Sequence, residues 1–154
     1  MTHITLMRGI PGSGKSTVAK AIVFLDIDIM STDDFWYMTD PLTYRFDIKQ
    51  IAEAHAWNQD RVDKRLARGM CPHIIIDNTN ITSHAVAPYF DLAVKYNCTI
   101  SIVTVDTPLE ECIRRNALRS KDRQVPESAI RRMHEQMKEM SADRELAAAK
   151  RRVK

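Results

Sequence analysis

Eight residues near the start of the chain, Gly9-Ile-Pro-Gly-Ser-Gly-Lys15-Ser16, have the types and spacing needed to hold a polyphosphate. They match G-x-x-x-x-G-K-[ST] in full, after a short apolar run and before a helix-forming stretch. Glycine lets the backbone curl with its amides pointing inward, and those amides, with a helix N-terminus, complement phosphate charge. The motif assigns Gly12, Ser13, Gly14, Lys15, Ser16 and Thr17 to nucleotide binding. Lys15 is expected to reach the β- and γ-phosphates and the Ser16 hydroxyl to ligate Mg²⁺, so the implied cofactors are ATP and Mg²⁺. A chance glycine turn would not bring the lysine, the hydroxyl and the strand-to-helix context together.

Carboxylates supply the remaining chemistry. Asp77 ends the apolar run His73-Ile-Ile-Ile-Asp77, at the sheet edge where ligands bind in open parallel sheets. A carboxylate there can hold a magnesium-bound water; the competing reading is a cap or turn residue for Asn78-Thr79-Asn80. Asp33 and Asp34 follow a second strand at the same edge. Transfer of phosphoryl to an alcohol benefits from a carboxylate that accepts the hydroxyl proton and aligns the nucleophile. Adjacent residues do not easily face one point, so one is expected to be the base and the other a cap or supporting group. Helix capping competes for both.

Arg114-Arg-Asn-Ala-Leu-Arg119-Ser-Lys-Asp-Arg123 carries five cations. Such a segment can close over a nucleotide as a lid, exclude water and neutralise migrating charge. Arg115, Arg119 and Arg123 are its candidate nucleotide contacts, although Arg114 and Arg115 fall in a last helical turn, where the helix dipole alone favours cations.

These groups need a scaffold. The runs His3–Arg8, Ile27–Met30, His73–Asp77 and Thr99–Val105 read as strands. Helices are expected from Thr17 to Val23, from Lys49 to a Gly69 cap, over 83–96, from Thr107-Pro-Leu-Glu110 with a hydroxyl cap, and from Pro126 onward. Residues 38–47 read as an irregular connection. Strands alternating with helices predict an α/β fold, a parallel sheet covered on both faces. On the helix 49–69, Ile51, Val62 and Leu66 mark the apolar face, and His55 and Asn58 fall inside that stripe. A satisfied core network is the first reading of the two polar residues and acceptor recognition the second. Tyr44, Phe46 and Trp57 are suited to packing or to stacking on a base. Trp36, next to the aspartates, is the better candidate for touching an acceptor.

A chain of 154 residues with 44% apolar composition is expected to form one domain over 1–154, with a lid at about 114–125 and a basic C-terminal helix over 126–154. No window approaches 18 consecutive apolar residues, which argues against a membrane span, and the N-terminus lacks the plan of a signal peptide. Cys71, Cys98 and Cys112 form no C-x-x-C pair and read as reduced thiols, consistent with a cytoplasmic location. Net charge is −4 over residues 1–113 and +7 over 114–154. That asymmetry suits nucleotide phosphates or a nucleic acid, or a solvated helix surface at the extreme C-terminus.

With these pieces assembled, RGIPGSGKST, STDDFWY, YRFD followed by EAHAWNQDR, IIIDNTNI, and RRNALR with VPESAIRRM stand in the order seen in one family. The chain resembles the P-loop kinase family of phage polynucleotide kinase, and more closely its kinase-like branch in a large ubiquitin-ligase-binding protein. The resemblance covers about residues 3–137. It implies a three-layer P-loop NTPase fold with four parallel strands in the order 2-3-1-4, and transfer of the ATP γ-phosphate to a 5′-hydroxyl nucleic-acid end. It also implies Lys15 and Ser16 in nucleotide roles, Asp33 as base and Arg119 as lid arginine; the residues themselves add Ser16 and Asp77 (via water) as candidates for the metal and Asp34, Trp36 and Asn78 as candidates on the acceptor side.

Two positions depart from the phage pattern. Trp36 stands where an acceptor-side arginine is found, and Asn78 stands where an aspartate is found, with Asp77 one place earlier. A kinase for a small sugar, nucleoside or antibiotic therefore stays open, as does a nucleotide-dependent binding module or switch with weak ATPase activity.

Overall fold

The computed structural model describes residues 1–22 and 27–140. In chain order the elements are β1 (His3–Arg8), α1 (Lys15–Ile22), β2 (Ile27–Met30), α2 (Ile51–Arg68), β3 (His73–Ile76), α3 (Ser83–Lys95), β4 (Thr99–Thr104), α4 (Leu109–Ala117) and α5 (Glu127–Glu139). The four strands pair in parallel in the order β2-β3-β1-β4, as the resemblance implies. Branched and unbranched apolar residues fill the two inner strands because those strands are covered on both sides.

Alternation along β1 divides the core. Ile4 and Leu6 turn toward α2 and α3, where they meet Val62, Leu66, Val86, Tyr89 and Phe90. Met7 turns the other way, onto Ala19, Val18 and Ile22 of α1. A third cluster joins Ile10 to Cys112, Ile113, Ile130 and Met133, seating α4 and α5 against the start of the glycine loop. Arg8, 5% exposed, donates from Nη2 to the carbonyls of Met137 (2.7 Å) and Met140 (2.5 Å) at the end of α5. A cation at a helix C-terminus satisfies carbonyls that have no partner within the helix.

Several expectations shift in detail. The helix after the glycine loop begins at Lys15, so Ser16 lies in its first turn. The polar cluster after β2 winds into a 3-10 helix, Thr32–Tyr37, capped by the Ser31 hydroxyl accepting from the Asp33 amide. The expected helix 49–69 begins with a 3-10 turn, Ile48–Gln50, and ends at Gly69, whose φ of +66° suits glycine. The hydroxyl cap expected at Thr107 is absent, because that hydroxyl donates instead to the Ser13 carbonyl at 2.6 Å. Of the basic helix expected over 126–154, Glu127–Glu139 is helical and residues 141–154 lie outside the described residues; Val23, at the end of the first expected helix, does as well. No described helix is long and apolar enough to cross a membrane.

Candidate active site

Gly9 to Ser16 link the C-terminal end of β1, in the middle of the sheet, to the first turn of α1. Gly12 and Gly14 have φ of +84° and +89°, values that L side chains rarely adopt. A Cβ on Gly12 would also collide with the Cys112 carbonyl. Neighbouring segments fix the loop from outside. The Gly9 amide donates to the Thr79 carbonyl (3.0 Å), and Thr107 and Arg115 both donate to the Ser13 carbonyl. Lys15 is partly buried, and its pKa is lowered by that burial against the opposing pull of Asp77 and then Asp33. Both carboxylates line the same cavity as Lys15.

The turn that carries Asp33 and Asp34 is held by a polar network running through the core. Arg61 donates from Nη2 to Ser31 O (3.2 Å), Asp34 Oδ2 (2.8 Å) and Asn58 Oδ1 (2.8 Å), and its guanidinium lies 4.4 Å over the Trp57 ring. Asn58, fully buried, donates to the Tyr89 hydroxyl at 3.0 Å, and Asn78 reaches the same hydroxyl at 3.3 Å. The Asn78 Oδ1 in turn accepts from the Thr32 amide at 2.8 Å. Every link fixes the backbone that presents Asp33. The core reading of Asn58 thus holds. His55 goes the other way and lines the cavity, with Nδ1 3.2 Å from the Thr32 hydroxyl and a pKa lowered by burial.

One cavity of about 270 Å³ gathers Lys15, Ser16, Asp33, Trp36, His55, Asp77, Asn78, Arg119 and Arg123. A second hollow, on the outer side of the glycine loop, is lined by Gly12, Ser13, Gly14, Thr17, Arg115 and Arg119. Arg119 belongs to both walls. Of the expected acceptor residues, Trp36 faces the cavity, 4% exposed and packed edge-on against Phe35 and Phe46. Asn78 also lines it, but its amide is engaged by Thr32 and Tyr89. Asp34 is not among the lining residues, because Arg61 holds its carboxylate. Arg123, expected at the nucleotide, sits with Tyr37 and Tyr44. Arg114 and Arg115 converge on Glu111 and pull its carboxyl down to about 2.

The residues present suit Mg²⁺. Asp77 Oδ1 is buried with no hydrogen-bond partner, in the same cavity as the Ser16 hydroxyl. A desolvated carboxylate oxygen in that condition is costly unless a cation or an ordered water meets it, and oxygen donors of this kind are those magnesium takes.

Sequence reasoning passed over Arg61, Tyr89 and Tyr37. Arg61 and Tyr89 stand on helices that meet the turn only in the folded chain, so their contacts with it are not visible from their own sequence neighbourhoods. The signal available for Arg61 was its position three residues after Asn58 in an apolar stripe.

A phosphate-binding loop between a central parallel strand and a helix, facing carboxylates at the same sheet edge, defines a P-loop kinase-like domain. The chain belongs to the AAA_33 family, described as an AAA domain, which matches residues 4–140. Human NEDD4-binding protein 2 is 39% identical over 106 residues, which are 68% of this chain and 6% of that protein. This agrees with the kinase-like branch indicated by the sequence motifs. Among solved structures, the Pnkp1/Rnl/Hen1 RNA repair complex has a chain that superposes with a TM-score of 0.74 at 23% identity, covering 92% of this chain and 47% of that one. A gluconokinase from Sinorhizobium meliloti 1021 superposes with a TM-score of 0.57 at 15% identity, covering 88% and 74%. At these identities the likeness is one of fold.

Proposed function

We propose that the chain is an ATP-dependent kinase that transfers the γ-phosphoryl group to the 5′-hydroxyl end of a nucleic acid. The observation that carries this reading is the single cavity in which Lys15, Ser16 and Asp77 meet Asp33 and Arg119. The acceptor oxygen bonds to the γ-phosphorus as the bond to the β–γ bridging oxygen breaks. The hydroxyl proton passes to Asp33, and ADP leaves. Lys15 and Arg119 balance charge on the migrating group. When bound, Mg²⁺ neutralises phosphate oxygens, held by Ser16 and, through water, by Asp77. The nucleic-acid acceptor is supported by the family resemblance and by the likeness to a chain of an RNA repair complex.

Labelled ATP offered with 5′-hydroxyl DNA, 5′-hydroxyl RNA and a panel of small alcohols tests the reading. Label on the oligonucleotide 5′ end is expected, and label confined to a small alcohol or to free phosphate would overturn it. One observation favours the small-molecule reading. The wall around Asp33 offers Trp36, Tyr44, Phe46 and Ile51, and Arg123, which reaches it, is engaged by Tyr37 and Tyr44. Competition by unlabelled oligonucleotide separates the two, since a metabolite site would ignore it.

A further inference from the structure

The connection between α4 and α5 is a stiff loop. Asn116, 6% exposed, closes its base by donating to Val125 O (2.7 Å) and accepting from the Val125 amide (2.9 Å). Gln124 Nε2 donates inward to Arg119 O (2.9 Å) and Ala117 O (3.2 Å), and residues 121–123 add a 3-10 turn. Arg119 and Arg123 therefore ride on one unit. Arg123 extends from it to the acceptor side. Its Nη1 donates to the Tyr37 hydroxyl at 2.8 Å, and its guanidinium lies 5.1 Å from the Tyr44 ring and 5.9 Å from the Tyr37 ring. The two rings pack at 5.3 Å. Tyr44 in turn points its hydroxyl at Asp33 Oδ1, 3.5 Å away. That separation is long for an O–H···O bond, as catalytic contacts often are before ligands bind.

We infer that Arg123 and Tyr44 are positioning residues: Arg123 clamps the lid onto the Tyr37–Tyr44 pair, and the Tyr44 hydroxyl orients Asp33 toward the acceptor when the clamp is shut. The inference rests on the proposed roles of Asp33 as base and of the loop as lid. Tyr44 is suited to it, because burial and then the charge of Asp33 raise its pKa and keep its proton in place as a donor. Arg123 is exposed and meets the tyrosines by charge and ring face, so its loss spares the core. Its duty then differs from that of Arg119. One arginine faces the phosphoryl group and the other sets the geometry of the base.

The test uses the full chain with Arg123→Ala, Arg123→Lys, Tyr44→Phe and Tyr37→Phe, on ATP and a 5′-hydroxyl oligonucleotide. Arg123→Ala is expected to lower kcat for transfer about 10- to 100-fold, to leave the KM for ATP within about twofold, and to raise the share of γ-phosphate passed to water. Arg123→Lys should restore part of kcat, since it keeps charge over the ring. Tyr44→Phe should lower kcat with the lid still docked, and Tyr37→Phe should do less. Amide hydrogen exchange over residues 117–125 reports the clamp without any acceptor and should speed up in Arg123→Ala but not in Tyr44→Phe. A raised KM for ATP with kcat retained would make Arg123 a nucleotide ligand and overturn the inference. Unchanged exchange together with an unchanged partition between acceptor and water would also overturn it. If the wild type labels no oligonucleotide, the proposed acceptor fails instead, and the exchange measurement still decides whether the clamp exists.

Discussion

Asp33 and Asp34 are neighbours in sequence with different surroundings. Asp33 opens into the cavity beside Lys15 and Tyr44, and Asp34 is tied to Arg61 at 2.8 Å. Asp33→Asn should therefore lower turnover by about 10²–10⁴-fold while ATP affinity stays near the wild-type value. Asp34→Asn should act through the turn, with a loss of stability of about 1 kcal/mol or less because the ion pair is half exposed. Steady-state kinetics and urea unfolding of both variants check the assignment, and a reversed pattern would transfer the base role to Asp34. At Gly12 two constraints coincide, a φ of +84° and the Cys112 carbonyl against any Cβ. Gly12→Ala should therefore abolish ATP binding, measured by fluorescent-nucleotide titration, because the loop must open to accept a methyl group.

At the scale of elements, the strands and the glycine loop were the most legible parts of the sequence. His3–Arg8 and Ile27–Met30 are bounded as the sequence runs predict, because the first stops at Gly9 and the second at the polar cluster that begins with Ser31. The turn carrying Asp33 was legible as a polar cluster but not as a 3-10 helix. Its shape depends on Asn78 at the Thr32 amide and Arg61 at Ser31, contacts 46 and 30 residues away in sequence. Thr107 misled for a similar reason. Its sequence fits a cap, and its hydroxyl found a stronger use on the glycine loop. Arg8 ends a strand yet serves a helix 129 residues on. Arg8→Met keeps most of the volume and removes both bonds to the end of α5. The expected cost is about 1.5–3 kcal/mol, the range for hydrogen bonds from a charged donor. Chemical denaturation should show it as a lower midpoint with an unchanged slope.

For the molecule as a whole, pH acts at His55 in the cavity and at a histidine pair at the opposite end of the sheet. His3 and His73 lie with ring centroids 5.2 Å apart and bond to Thr99, Ser101 and Thr5. Burial lowers both pKa values from the ordinary 6.5, and for His73 the neighbouring His3 adds to the effect. The unfolded chain accordingly takes up protons at a pH where the folded chain declines them, so stability falls as pH drops through 6.5 and levels off below the folded pKa values. The melting temperature should decrease between pH 7.5 and about 5, and the double variant His3→Gln, His73→Gln should flatten that dependence. Kinase activity per folded molecule should not follow the pair, since neither ring lines the cavity.

Arg119 stands in the wall of the cavity that holds Asp33 and in the wall of the hollow outside the glycine loop. A side chain shared by two sites cannot serve them independently. Whatever tightens it from one side resets its position for the other, and thermodynamic reciprocity requires the same factor in both directions. Donor should therefore change the dissociation constant of acceptor by the ratio in which acceptor changes that of donor, and Arg119→Ala should bring that ratio toward one.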